Sequence, residues 1–133
     1  MIDNPLAGTC PCGGKPEGAA FADCCGPALS GARWPETAES LMRSRYTAFA
    51  LADEDHLFRT WHPRTRPAGR LSDADTRWTG LELGRVIGGG AEDKTGTVEF
   101  TAHYVGAGAG PGVMHCVSTF ARRAGRWMYV EDL

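Results

Sequence analysis

Nothing in this chain approaches the run of about 18 apolar residues that a membrane-spanning helix requires, so no membrane contact is expected. Lysine is nearly missing. Lys15 and Lys94 are its two occurrences, and arginine makes up the rest of the 14 basic residues. Against 16 acids this leaves a formal charge of -2, which gives no footprint for bulk nucleic acid. Arginine still offers a planar fork for a local carboxylate or phosphate. The chain has no phosphate-binding loop, no G-x-S-x-G elbow, no H-E-x-x-H pair and no dinucleotide fingerprint. The glycine run Gly106 to Gly112 carries no lysine and precedes no helical pattern, so it is expected to be a hairpin loop. Met1 to Gly8 lacks the charged start and apolar stretch of a secretory signal. The expected compartment is the cytoplasm, where thiols stay reduced.

What is present is ordinary in bulk and unusual in one place. With 133 residues, 42% hydrophobic and 23% charged, the chain has room for one globular domain and a small appendage. Cys10, Cys12, Cys24 and Cys25 are packed into the segment "CPCGGKPEGAAFADCCG". In a reducing compartment, cysteines at such short spacings favour a metal site. Zinc takes four thiolates as a tetrahedron, and these residues supply that number, with Gly13, Gly14 and Gly26 permitting a tightly wrapped backbone. Two alternatives stay open. A pair of disulfides requires export or later oxidation, and a thioredoxin-like device requires a C-x-x-C at a helix start in a parallel-sheet pattern.

Pro27 to Pro35 reads as a connector. From Glu36 to Asp53, Ala38, Leu41, Met42, Ala48 and Phe49 recur at helical intervals, with Thr37 as the N-cap and Glu36 and Glu39 suiting the positive helix start. A shorter helix over Asp53 to Trp61 starts at an acidic triplet and stops before Pro63. Strands are then expected at Trp78 to Ile87, Thr95 to Val105, Val113 to Arg122 and Trp127 to Glu131. Helices followed by a meander of antiparallel strands predict an α+β fold, with the sheet curling over the helices.

"C-P-C-G … D-C-C-G" resembles the SEC-C motif, a zinc knuckle also found at the C-terminus of the translocation ATPase SecA, although the spacer after Cys12 is longer here. The order of helices and strands resembles the nuclear-transport-factor-2-like cone. "LMRSRYTAF", "TWHP", "WTGLEL", "VEFTAHY" and "GRWMYV" together resemble the YchJ family, which carries an N-terminal SEC-C knuckle. The resemblance implies one structural zinc on Cys10, Cys12, Cys24 and Cys25. It also implies a knuckle and connector over residues 1–34, a cone over residues 35–133, and a protein partner docked through the knuckle. A homodimer paired through the outer face of the sheet is a further implication. Where the family usually shows an acid and an arginine in the third long strand, this chain has Cys116 and Val117.

A cone leaves a mouth, and polar or aromatic residues there are the pocket candidates. Arg43 and Arg45 lie about 200° apart on a helix, and Arg45 falls nearer the apolar stripe. Arg45 is therefore the semi-buried candidate, or a structural cation paired with a carboxylate. Trp61 and His62 close the second helix, where His62 either caps free carbonyls or sits at the rim, and Trp61 and Trp78 serve as core or as ligand platform. His103 and His115, on successive strands, are placed to lie opposite each other. Cys116 cannot pair with its neighbour His115, because adjacent strand residues face opposite ways, but a pairing with His103 stays open. The favoured function is a zinc-stabilised binding module for a protein or small ligand. The rival is a small-molecule isomerase or hydrolase that uses the cone.

Overall fold

The computed structural model describes residues 8–133. The first seven residues of the expected knuckle segment lie outside them.

The longest helix, α2 (Ala38–Leu51), begins where Thr37 turns its hydroxyl back on the chain and accepts the Ser40 N–H at 3.1 Å. It buries Ala38, Leu41, Met42, Tyr46 and Ala48 and ends at Ala52, whose φ of 57° reverses the chain. Helix α3 (Glu54–Thr60) follows at once, capped by Asp53 accepting the His56 N–H at 3.0 Å. Both expected helices are thus found, each trimmed at its ends.

Four antiparallel strands follow as a meander in the order β1-β2-β3-β4: β1 (Thr76–Gly88), β2 (Thr95–Gly106), β3 (Gly110–Arg123) and β4 (Arg126–Asp132). The register breaks between Trp78 and Gly80, between Leu83 and Val86, and between Thr119 and Phe120. Such irregularities increase strand bend and twist, which curls the sheet around α2. Val98, Ala102, Phe120 and Trp127 meet Ala38, Leu41, Met42 and Tyr46 in one core. Each large buried side chain there contributes roughly 1.5–3 kcal/mol. Gly89 is required at the turn after β1. Its φ is +76°, and a Cβ there would lie 2.6 Å from that of Ala38, so any side chain would push α2 off the sheet.

Two expectations are corrected. The stretch Pro27 to Pro35 is not wholly a connector, because Gly26–Ser30 forms a short helix, α1, with proline in its first turn and Gly31 in the left-handed conformation at its end. The run Gly106 to Gly112 is mostly strand, since the ladder continues to the pairs Tyr104↔Gly112 and Gly106↔Gly110. Backbone hydrogen bonds are indifferent to the missing side chains, and only residues 107–109 make the turn.

Ahead of α1, Thr9 bridges to Ala20 and a 3-10 turn covers Phe21–Asp23. The long spacer is not a free bulge, because Lys15 Nζ reaches Glu39 of α2 at 2.8 Å. No helix among the described residues is long and apolar enough to cross a membrane.

Candidate metal centre and cone cavity

The knuckle brings four thiols to one point, all of their sulfurs within 4.8 Å of one another. Contacts between them are 3.8 Å (Cys10 with Cys12), 3.5 Å (Cys12 with Cys24), 3.9 Å (Cys24 with Cys25) and 3.7 Å (Cys25 with Cys12). These are far beyond the roughly 2.05 Å of a disulfide. A tetrahedron with metal–sulfur bonds of about 2.3 Å has edges of about 3.8 Å, so the donor set fits a four-coordinate metal in size, number and chemistry.

The thiols cannot all ionise unaided. Hydrogen bonds from Cys12 and then Cys25 hold Cys10 far below the usual thiol range, whereas Cys10 and then Cys12 push Cys25 far above it. Burial, and after it Cys12, pushes Cys24 up to about 11. Four thiolates this close would need a cation to carry their charge.

Helix α2 supports the cluster from outside. Thr47 Oγ1 donates to Cys25 Sγ at 3.3 Å, and Arg43 Nη1 donates to the Cys12 carbonyl at 3.1 Å and reaches its sulfur at 3.7 Å. Gly14, at φ +85°, has backbone of Ala19 where a Cβ would stand, and its N–H donates to Cys12 Sγ at 3.4 Å. The sequence reading left both Arg43 and Thr47 aside. The signal was the helical spacing Glu39, Arg43, Thr47, one polar stripe beside the apolar one.

On its neighbouring face α2 lines a second feature, a cavity of about 300 Å³ between helices and sheet. Met42, Arg45, Tyr46 and Phe49 form the helical wall, and Phe100, Met114 and Phe120 form part of the strand wall. Of the pocket candidates, Arg45, Trp61 and Trp78 line it. Arg45 is 5% exposed and makes no ion pair among the described residues. Its Nη1 donates to the Leu57 carbonyl (3.1 Å) and Thr60 Oγ1 (2.7 Å), and its guanidinium lies 4.4 Å from the centre of the Tyr129 ring and 4.8 Å from that of Trp61. Burial pulls this cation down to about 9, leaving it charged at neutral pH. Carboxylate pairing, the structural reading for Arg45, is therefore absent.

The other candidates sit elsewhere. His62 caps no carbonyl of α3 with its ring. Its Nδ1 instead accepts the Arg64 N–H at 3.1 Å, outside the cavity lining. His103 and His115 are not opposite each other, since His103 pairs with Val113 and His115 with Thr101. Both lie on the outer face of the sheet, their side chains 40% and 57% exposed, each 2.8 Å from a glutamate, Glu82 and Glu99 respectively. Cys116 is paired with Phe100, so it points to the face opposite His103. That excludes a Cys116–His103 pair, and burial followed by Asp132 pushes the thiol up, away from a nucleophilic thiolate.

Two sites were missed. Asp132 lines the cavity where it opens to solvent, its Oδ1 accepting the hydroxyls of Ser118 (2.6 Å) and Tyr129 (2.9 Å). His56, fully buried, meets Ser44 Oγ at 2.9 Å through Nε2 and Arg59 at 3.4 Å through Nδ1. Asp132 lies one residue beyond the expected strand Trp127 to Glu131, and His56 occupies a helix turn whose buried side depends on tertiary packing.

Comparison with known proteins places this geometry. The pattern of the family described as YchJ, middle NTF2-like domain, matches residues 37–132. A UPF0225 protein of Streptomyces coelicolor is 46% identical over 122 residues, 92% of each chain. One from Chromobacterium violaceum is 45% identical, covering 93% of this chain and 91% of its own. Among solved structures, a SEC-C motif containing protein from Rhodopseudomonas palustris superposes with a TM-score of 0.79 at 32% identity, over 94% of this chain and 97% of that one. A second, from Psychrobacter arcticus, gives 0.72 at 28% identity, over 95% and 82%.

Proposed function

This chain belongs to the YchJ family of UPF0225 proteins, with a SEC-C segment before an NTF2-like cone, and from that premise we propose that it is a small-ligand-binding module braced by structural zinc. Cys10, Cys12, Cys24 and Cys25 hold the ion. With four thiolates bound, zinc supplies a fixed tetrahedral junction and no open position for chemistry. The cone cavity is the working site.

The observation that carries this reading is the double use of α2. Its Glu39, Arg43 and Thr47 side faces the knuckle, and its Met42, Arg45, Tyr46 and Phe49 side walls the cavity. Anchoring one face positions the other. The inward packing of Cys10, Cys12 and Cys25 supports anchoring more than docking of a partner through the knuckle. An enzyme is the second reading, favoured by Asp132 with its two hydroxyl donors at the cavity opening.

Protein purified under reducing conditions without chelator should contain about one zinc per chain by elemental analysis. Removing it should loosen residues 8–31 in amide exchange and weaken binding of small probes in the cavity. Metal-free protein with four reactive thiols and unchanged probe binding would sink the proposal. Turnover of a bound probe, lost in Asp132→Asn, would move the assignment to the enzyme.

A further inference from the structure

Arg45 is an incomplete binding partner. A buried cation is costly unless its donors and charge are matched. Its Nη1 is satisfied by Leu57 and Thr60, and the rings of Tyr129 and Trp61 lie 4.4 Å and 4.8 Å from its guanidinium. Neither Nε nor Nη2 has an acceptor among the described residues, and neither is sealed in. The space they meet is the cavity that Arg45 lines. Nε–H and Nη2–H form the side-on fork that takes a carboxylate through two parallel bonds. Trp61 Nε1, by contrast, is buried without an acceptor and reaches no open space, so it offers nothing to a ligand. The open edge of Arg45 calls for a ligand that brings acceptors.

The rest of the lining narrows the class. No lysine, histidine or second arginine lines the cavity, so a doubly charged phosphate would bring one charge too many against an apolar wall. Asp132 at the opening repels a second anionic group there. The volume, about 300 Å³, is at the small end of the ligand-pocket range.

We propose that the cavity binds a small monocarboxylic acid with an aromatic or branched apolar body. The carboxylate sits on the Nε–Nη2 edge of Arg45, and the body lies against Trp78, Phe100 and Met114. This assignment rests on the cavity being the working site, and it names the ligand class for that site.

The test uses the zinc-loaded full chain with phenylacetate, 4-methylpentanoate, the neutral phenylacetamide and the cationic 2-phenylethylamine, followed by calorimetry and by amide shifts of residues 42–49. The two acids should bind saturably in the micromolar to millimolar range, and the amide and amine should bind at least about tenfold more weakly. Arg45→Met should abolish the preference for acids. Met114→Trp, at the half-exposed edge of the cavity and away from Arg45, should abolish binding of every probe with zinc content unchanged. Equal or tighter binding of the amide or amine, still blocked by Met114→Trp, overturns the carboxylate assignment and leaves the cavity reading standing. Failure of all four probes overturns both.

Discussion

The knuckle and the cone lean on the same helix but are held together by different forces. In the knuckle neither the 3-10 turn nor α1 buries a residue, and the buried apolar positions of this segment are Cys10, Cys12 and Cys25. The cone buries Leu41, Leu57, Val98, Phe120 and Trp127, enough to fold around and still leave a cavity unfilled. On the zinc proposal a segment without a core is stabilised by ligation, and a segment with one can give up part of its packing to a site. The cost of that concession is visible at Arg45, a buried charge that makes no direct ion pair among the described residues and feels Asp132 only across the cavity.

Stripping the metal is the strongest way to test this contrast. Zinc contributes on the order of 10 kcal/mol to folding in isolated finger peptides. Chelation, or Cys12→Ser, should therefore collapse exchange protection over residues 8–31 while β2 and β3 keep theirs. Uniform loss over the whole chain would mean that the two regions are one cooperative unit, a real alternative given that Cys10, Cys12 and Cys25 sit in the same cluster as Leu41 and Val98.

Acid also probes the helical side of the cone, through a buried group that is not a metal ligand. His56 is pushed down to about 4 from an ordinary 6.5, by burial first and by Arg59 and Arg45 after it, with Asp53 and Asp55 pulling the other way. Between these values the unfolded chain binds the extra proton and the folded one does not. Stability is therefore complete above pH 6.5, falls as pH drops toward 4, and levels off below. The whole window is worth about 3 kcal/mol. Because zinc also leaves in acid, the readout is the difference in urea unfolding between wild type and His56→Gln, whose amide keeps a donor for Ser44. An identical slope in the two proteins would show that His56 titrates normally.

Arg45 separates a structural from a functional charge. Its acceptors, the Leu57 carbonyl and Thr60 hydroxyl, are neutral, and Thr60 Oγ1 keeps its own bond to the His56 carbonyl at 2.7 Å. Arg45→Met leaves no orphaned charge, so it should change stability by less than about 2 kcal/mol in either direction. A loss of 4 kcal/mol or more in urea unfolding, roughly the cost of breaking a buried ion pair, would make Arg45 a structural tie between α2 and α3.

The elements and caps were legible in the sequence because they are local. Thr37 and Asp53 cap as their side chains require, and the alternation Val98, Phe100, Ala102, Tyr104 forms one face of β2. The cysteine cluster was legible for the same reason, its four ligands falling within one short segment. What was not legible depends on register. His103 and His115 are offset rather than opposite because of the β2–β3 pairing, which is not written in residue type. Trp61 and Asp132 come together only because β4 passes the end of α3, with Trp61 bridged to Tyr129 in parallel. Arg45 could be narrowed to one side of its helix by periodicity alone, and its lack of a carboxylate partner could be seen only in three dimensions.

The smallest expected effect is the most direct test of the shared helix. Thr47 sits on α2 with its hydroxyl on Cys25 Sγ at 3.3 Å and 3.8 Å from Cys10 Sγ. Thr47→Val keeps the shape and removes the O–H···S bond, so the cone should lose no more than about 1 kcal/mol. Zinc affinity should respond more, by about tenfold, because hydrogen bonds to metal ligands orient them and tune their charge. A chelator competition titration reads that change, and exchange protection along α2 reads whether the helix itself has moved. Weakened zinc with an unmoved helix keeps the knuckle and cone distinct, joined through side chains of α2 of which Thr47 is one. Unchanged zinc affinity would mean that the thiols hold the ion alone and that α2 is merely its neighbour.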